Sequence, residues 1–205
     1  MELLIATQNQ GKVKEYQRLL ADVDATVIGL AEVGLGDLDV EETGTTFEEN
    51  ALLKAKTYAE ASGKIALADD SGLVVDALDG RPGVYSARYG KPEFDDAGRR
   101  GYLLEEMTDV PIDKRSARFR CVIAVYNPAT VTGYTVDGAC EGTILTEERD
   151  AGKGFGYDAL FQPDGYDRTF GELAPEEKNS ISHRGVAAKK LPAVLAKLKQ
   201  NPFNG

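Results

Sequence analysis

Histidine and cysteine are almost missing from this chain: His183 stands alone, and Cys121 and Cys140 are the only thiols among 205 residues. That is too few for a zinc centre or a scaffold stapled by disulfides, so we expect two reduced thiols and a reducing, cytoplasmic setting. No segment approaches the ~18 consecutive apolar residues of a membrane span. The opening MELLIATQNQ lacks the basic flank and long apolar core of a signal peptide, so neither membrane insertion nor export is expected. Basic charge is also short. Lys and Arg number 24 against 34 Asp and Glu, a formal charge of −10 that repels a phosphate backbone rather than steering it in. This argues against nucleic acid as a partner; a small polyanion would need a local cluster of donors or a divalent metal. Repeats, low-complexity runs and obvious linkers are absent too. At 42% apolar content the chain can bury a sizeable core, so we expect one domain over residues 1–205, bilobed, with no autonomous second domain.

What is present reads as alternating strands and helices. Glu2 to Ala6 is a short apolar run typical of a buried strand, and Val13, Tyr16, Leu19 and Leu20 then return at helical spacing. Residues 25–30 form a second short strand, followed by an acidic, glycine-rich loop to Gly44. Thr45 and Thr46 each stand three residues ahead of a glutamate, the capping-box pattern. Phe47, Ala51, Leu52, Ala55, Tyr58 and Ala59 trace the helical face that follows, predicting a helix over about 46–62 ended by Gly63. A strand over 64–68 then delivers Asp69 and Asp70 at its C-terminal end, with another strand over 73–78. A helix is expected over 95–107, and strands over 116–126 and 132–142 around the turn Asn127-Pro128. The chain closes with a basic amphipathic stretch, 184–199, in which Pro192 should kink the helix or start a new one. Elements in this order predict an α/β fold around a twisted mixed sheet.

Several stretches offer chemistry. Thr7-Gln8-Asn9-Gln10-Gly11-Lys12 joins a strand to a helix, so its backbone N–H groups and Lys12 can hold an anion. It departs from a Walker A loop, because the first glycine is absent and Val13 follows the lysine; taken alone, it reads more readily as a plain connector. Glu41 and Glu42 precede the helix and Asp69 and Asp70 follow it, so the two pairs can meet. Two or three carboxylates with water are the usual holder of Mg²⁺ beside a phosphate. Either pair alone reads as solvated loop acids. Asn50 and Lys54 lie four residues apart to one side of the apolar face. Lys178, His183 and Arg184 gather near a helix start, against the local preference for acids there, with Ser180 or Ser182 available as cap. Phe155 and Tyr157, bracketed by glycines, can stack on a planar base or anchor the loop, and Asp158 can accept from a ring N–H or a sugar hydroxyl. The run Gly80 to Tyr89, with Arg88 between small and aromatic residues, reads as packing or a subunit interface.

Together, ATQNQGK at 6–12, EETGTTFEENALLKA at 41–55, ADDSGLVVDALDGRPGVYSARYG at 68–90, GFGYDALF at 154–161 and EEKNSISHRG at 176–185 resemble the inosine triphosphate pyrophosphatases, also called XTP/dITP diphosphatases. The blocks stand in family order over nearly the full length. The resemblance implies a bilobed α/β fold with the active site between the lobes, a homodimer, and Mg²⁺-dependent hydrolysis of non-standard purine nucleoside triphosphates to monophosphate and pyrophosphate. It implies Asp70 as the base or metal-bound carboxylate that orients the attacking water, Glu42 sharing the metal, and Lys54 as a further catalytic group. Thr7 to Lys12, Ser71, Lys54 and Lys178 would hold phosphates and sugar. Phe155 would stack on the base, with Gly156, Tyr157, Asp158, His183 and Arg184 completing its pocket. Arg184 aimed at a 6-oxo group would discriminate against adenine. Ala159 stands where the family usually has proline, which should loosen that loop slightly. A nucleotide pyrophosphatase for other modified nucleotides, or a nucleotide sensor without hydrolysis, remains the alternative.

Overall fold

The computed structural model describes residues 1–152 and 154–199; Lys153, within the glycine-rich loop, lies outside them, as does the side chain of Lys199. Strands β1 (Glu2–Ile5), β2 (Thr26–Gly29), β3 (Ile65–Val75), β4 (Ser116–Asn127), β5 (Thr132–Ile144) and β6 (Phe161–Pro163) form one sheet in the order β2-β1-β3-β4-β5-β6. It is mixed: β1 runs parallel to both β2 and β3, whereas β5 and β6 are antiparallel. Helices α1 (Gln10–Leu19), α2 (Phe47–Ser62), α3 (Asp96–Glu106), α4 (Pro175–Ile181), α5 (His183–Ala188) and α6 (Leu191–Lys199) complete the α/β fold. None of the described helices is long and apolar enough to cross a membrane.

The chain forms two compact units. The first comprises Met1–Asp70, Cys121–Gly138 and the segment beginning at Arg184; the second comprises Ser71–Arg120 and Ala139–His183. In the first, Leu3, Ile5 and Leu67 of the parallel strands share one core with Tyr16 and Leu20, with Cys121, Ile123 and Val125 of β4, and with Ala187, Leu191 and Leu195 of the closing helices. Helix α2 follows from its ends. Thr46 Oγ1 accepts from Glu49 N at 3.2 Å while Glu49 Oε2 accepts from Thr46 N at 3.1 Å, and Gly63, at φ 68°, ends the helix. The buried face holds Phe47, Ala51, Ala55, Tyr58 and Ala59 as expected, with Leu52 only half-buried, and adds a polar residue, Asn50. In the second unit, Leu73, Val75, Leu103, Met107, Phe119, Phe161 and Phe170 form the core.

One local expectation changes. The strands read as 64–68 and 73–78 are one continuous strand, β3, so Asp69 and Asp70 lie within it rather than at its end. In the closing stretch Pro192 starts a new helix, one of the two outcomes expected: it occupies the second position of α6, where its missing N–H costs no helical bond. Both cysteines are free thiols, Cys121 buried and Cys140 half-buried. Replacing Leu67 by Ala should lower unfolding free energy by about 2–5 kcal/mol, and Thr46→Ala by about 1 kcal/mol through loss of the cap. Urea denaturation of the three proteins checks both; a Leu67→Ala protein as stable as the parent would contradict this core.

Candidate active site

Asp69 and Asp70 are consecutive in β3, and consecutive residues of a strand present their side chains to opposite faces. The two acids consequently have separate partners. Asp69 Oδ1 pairs with Lys12 Nζ at 3.0 Å, while Asp69 Oδ2 accepts from Arg184 Nε and Nη2 at 3.3 and 3.1 Å and lies 3.7 Å from Cys121 Sγ. Arg184 Nη1 donates to Glu15, and its guanidinium lies 5.9 Å above the centroid of the Tyr16 ring. Burial alone would push the Asp69 carboxyl up, but Lys12 and Arg184, with Lys54 farther off, hold it well below the usual carboxylate range. Asp69 is thereby a fixed buried anion, and Lys12 and Arg184 are fixed around it.

Asp70 faces α2. Lys54 Nζ stands between Glu42 Oε1 at 2.5 Å and Asp70 Oδ1 at 3.3 Å. Asn50, one turn earlier, donates from Nδ2 to Asp70 Oδ2 at 3.2 Å and accepts from Gly44 N at 2.8 Å. Gly44 is required there, because a Cβ would come within 2.6 Å of Asn50 Oδ1. Burial raises the Asp70 carboxyl, Lys54 opposes that, and the Glu42 carboxylate adds to it. For Lys54 the balance is reversed: burial disfavours its charge, but Asp70, Asp69 and Glu42 more than offset this and raise it. Two carboxylates thus share one ammonium, leaving the cluster a site for more positive charge. Of the four acids read as two facing pairs, only Glu42 and Asp70 meet at Lys54; Glu41 is exposed and Asp69 belongs to the other network.

At the start of α1, the Asn9 side chain accepts from Lys12 N at 3.1 Å and Asn9 N donates to Thr7 Oγ1 at 3.2 Å. Gln8 Nε2 donates to the carbonyls of Gly36 and Leu38 at 3.1 and 3.0 Å, tying the acidic loop down. Gln10 and Gly11 open the helix.

The second unit assembles an aromatic group. Lys178 Nζ is buried, paired with Asp158 Oδ2 at 2.7 Å, and lies 4.9 and 5.4 Å from the ring centroids of Phe155 and Phe170. Asp158 Oδ2 also accepts from Phe155 N at 2.8 Å, so one carboxylate sets both the loop and the lysine. A Cβ at Gly154 would meet the Asp158 side chain at 2.6 Å, which is why that position is bare. The backbone of Gly156 is held from α3, its N donating to Asp96 Oδ2 and its carbonyl accepting from Arg100 Nη1, both at 2.8 Å. Tyr157 is a buried anchor whose hydroxyl donates to the Ser86 carbonyl at 2.9 Å, and Ala159 beyond it is also buried. The imidazole of His183 stacks on Phe119 with centroids 4.8 Å apart and planes at 13°. Ser71, the first residue of this unit, is half-buried.

The residues read as base-recognising therefore divide: Phe155, Gly156, Tyr157, Asp158, Lys178 and His183 belong together, whereas Arg184 belongs with Asp69 and Glu15. Glu15 was not singled out by the sequence. Its only signal is its place three residues beyond Lys12, on the same side of a helix. Removing the shared anion with Asp69→Leu would strand Lys12 and Arg184 beside an apolar side chain and should cost about 3–5 kcal/mol. Chemical denaturation measures it, and a loss below about 1 kcal/mol, the scale of a surface pair, would contradict this account.

Comparison with known proteins agrees with this architecture. The profile of the Ham1 family matches residues 3–194. A dITP/XTP pyrophosphatase of Desulforamulus reducens is 50% identical over 198 residues, 97% of each chain. One from Bacillus subtilis is 48% identical over 194 residues, 95% of this chain and 96% of the relative. Among solved structures, a HAM1 protein from Coxiella burnetii superposes with a TM-score of 0.85 at 42% identity, covering 96% of this chain and 99% of its own. The Staphylococcus aureus Ham1 protein gives 0.84 at 40%, covering 97% and 100%. Profile, sequences and folds thus match over nearly the whole length, and the chain belongs to the Ham1 family.

Proposed function

We propose that this protein hydrolyses non-standard purine nucleoside triphosphates (dITP, ITP and XTP) at the α–β phosphoanhydride, releasing the nucleoside monophosphate and pyrophosphate, and so clears them from the nucleotide pool. The observation that carries the reading is the convergence of Glu42 and Asp70 on a single ammonium, in a chain half-identical to a dITP/XTP pyrophosphatase.

The donor set fits Mg²⁺. Among the described residues no three His, Cys, Asp or Glu side chains form a self-contained metal cage. Mg²⁺ needs none: it is usually held by one or two carboxylates, with substrate phosphates and water completing its shell. Glu42 and Asp70 are hard oxygen donors that already converge on a cation and carry one negative charge more than it balances. When bound, the ion supplies neutralisation of the triphosphate and polarisation of its oxygens.

The chain's own residues supply positioning, which is most of what phosphoryl chemistry asks of a protein. Asp70 orients the attacking water and takes its proton, and the departing pyrophosphate keeps the electron pair of the broken P–O bond. Lys54 and Lys12, with the backbone of Thr7 to Gly11 and Ser71, hold phosphate oxygens. Phe155 stacks on the base, while Gly156, Tyr157, Asp158, Lys178 and His183 shape its pocket. Arg184 reads the 6-oxo group only by exchanging one of its carboxylate partners for it. We further propose that residues 1–205 act as one domain in a cytoplasmic homodimer. Each compact unit is assembled from separated segments, which supports the first point, both thiols are free, which supports the location, and the dimer rests on the family resemblance.

With Mg²⁺, ITP and dITP should yield monophosphate and pyrophosphate. ATP should turn over roughly 10- to 200-fold more slowly for each hydrogen bond that a 6-amino group fails to make where a 6-oxo group makes it. Product identification by chromatography decides it: orthophosphate as first product, comparable rates with ATP, or binding without turnover would overturn the proposal. Asp70→Asn should fold normally and lose roughly 10²- to 10⁴-fold in turnover, the usual worth of a positioned base. Near-normal activity of that variant would remove Asp70 from this role.

A further inference from the structure

We propose that Lys54 is a built-in counter-cation for the metal carboxylates, and that a divalent ion enters between Glu42 and Asp70 only by displacing the Lys54 ammonium. The inference rests on the assignment of these two carboxylates to the metal. It follows from how differently the members of the cluster are held.

Asp70 is held by a second partner besides Lys54, and the backbone that carries Glu42 is braced near it. Asn50, wholly buried on α2, donates to Asp70 Oδ2 and accepts from Gly44 N two residues beyond Glu42, so one side chain braces both the strand and the segment that carries Glu42. Asp70 is set by the pairing of β3, and the helix bearing Asn50 and Lys54 is capped at both ends. The ammonium, by contrast, is carried on a flexible four-carbon stem and donates to the two carboxylate oxygens at 2.5 and 3.3 Å. The side chains of Glu42, Asp70 and Lys54 are 22%, 7% and 13% exposed, so water screens the carboxylates only in part. A pair of carboxylates kept close in such surroundings stays ionised only with a cation beside it, and Lys54 provides one of unit charge. A divalent ion balances the pair fully where an ammonium balances it by half, and both need the same oxygen atoms. Metal and ammonium therefore exclude each other there, and the freed lysine is available to phosphate.

Mutual exclusion is a coupling between two occupants and is reciprocal: removing the ammonium must tighten the metal, and adding the metal must release the ammonium. Mn²⁺, titrated without nucleotide and followed by electron paramagnetic resonance, should bind Lys54→Met more tightly than the parent by roughly 5- to 150-fold, the ordinary range of such coupling. Lys54→Gln, which keeps a polar head without the charge, should shift affinity in the same direction. In the parent protein, acylation of the Lys54 amine, mapped by peptide mass spectrometry, should be faster in saturating Mg²⁺. Equal or weaker Mn²⁺ binding by both variants, no Mn²⁺ binding by any of the three proteins, or Lys54 labelling unmoved by Mg²⁺ would overturn the counter-cation. The functional reading is judged separately by product release: a parent enzyme that makes pyrophosphate with Mg²⁺ yet gives one of those results keeps its function and loses this device.

Discussion

Two carboxylates can stand side by side in the middle of a buried strand only because a strand turns successive side chains to opposite faces. In β3 this places Asp69 and Asp70, neighbours in the chain, in two different electrostatic settings. Each has its own direct ion-pair partners, Asp69 with Lys12 and Arg184 and Asp70 with Lys54, and the lysines also act across the strand at longer range. Much else in the first unit follows from that division. Lys12, at the opening of α1, and Arg184, after the break between α4 and α5, are drawn to the same anion, and Glu15 balances the second half of the guanidinium. Asn50, a polar residue on an otherwise apolar helix face, is there because Asp70 and Gly44 need it.

The two acids differ in kind as well as in partners. Asp69 is paired with two cations and is locked as an anion, which suits it to holding other groups in place. Asp70 shares a single ammonium with Glu42 and is left short of positive charge, which suits it to a cation that arrives with a substrate. The aromatic group of the second unit repeats the logic on a smaller scale. A buried lysine sits among phenylalanine rings only because Asp158 pairs with it, and that carboxylate also fixes the glycine-bracketed loop.

Much of this was legible in the chain. Thr46 and Glu49 at capping-box spacing and the apolar face beyond them gave α2 nearly to the residue, and Pro192 marked the start of α6. Less legible was the continuity of β3, because Asp-Asp-Ser-Gly looks like a loop; in the fold, partners on both faces cancel the cost of charges inside a strand. Glu15 was invisible because its partner lies 169 residues away, and no local pattern encodes such a pairing. Arg184 stood out beside His183 in the sequence, but its pairing with Asp69 and Glu15 did not.

The sequence by itself determined the alternation of strands and helices, the places where carboxylates, lysines and glycines interrupt them, and, through five ordered blocks, the family. These are local properties, set by periodicity, capping and turn chemistry within a few residues. Only the tertiary structure decided which charge meets which: that Glu42 rather than Glu41 joins Asp70, that Asp69 is a buried anchor, and that Arg184 is held by two carboxylates. The reason is that ion pairing inside a protein depends on distance and burial, and both are fixed by the packing of segments far apart in the chain.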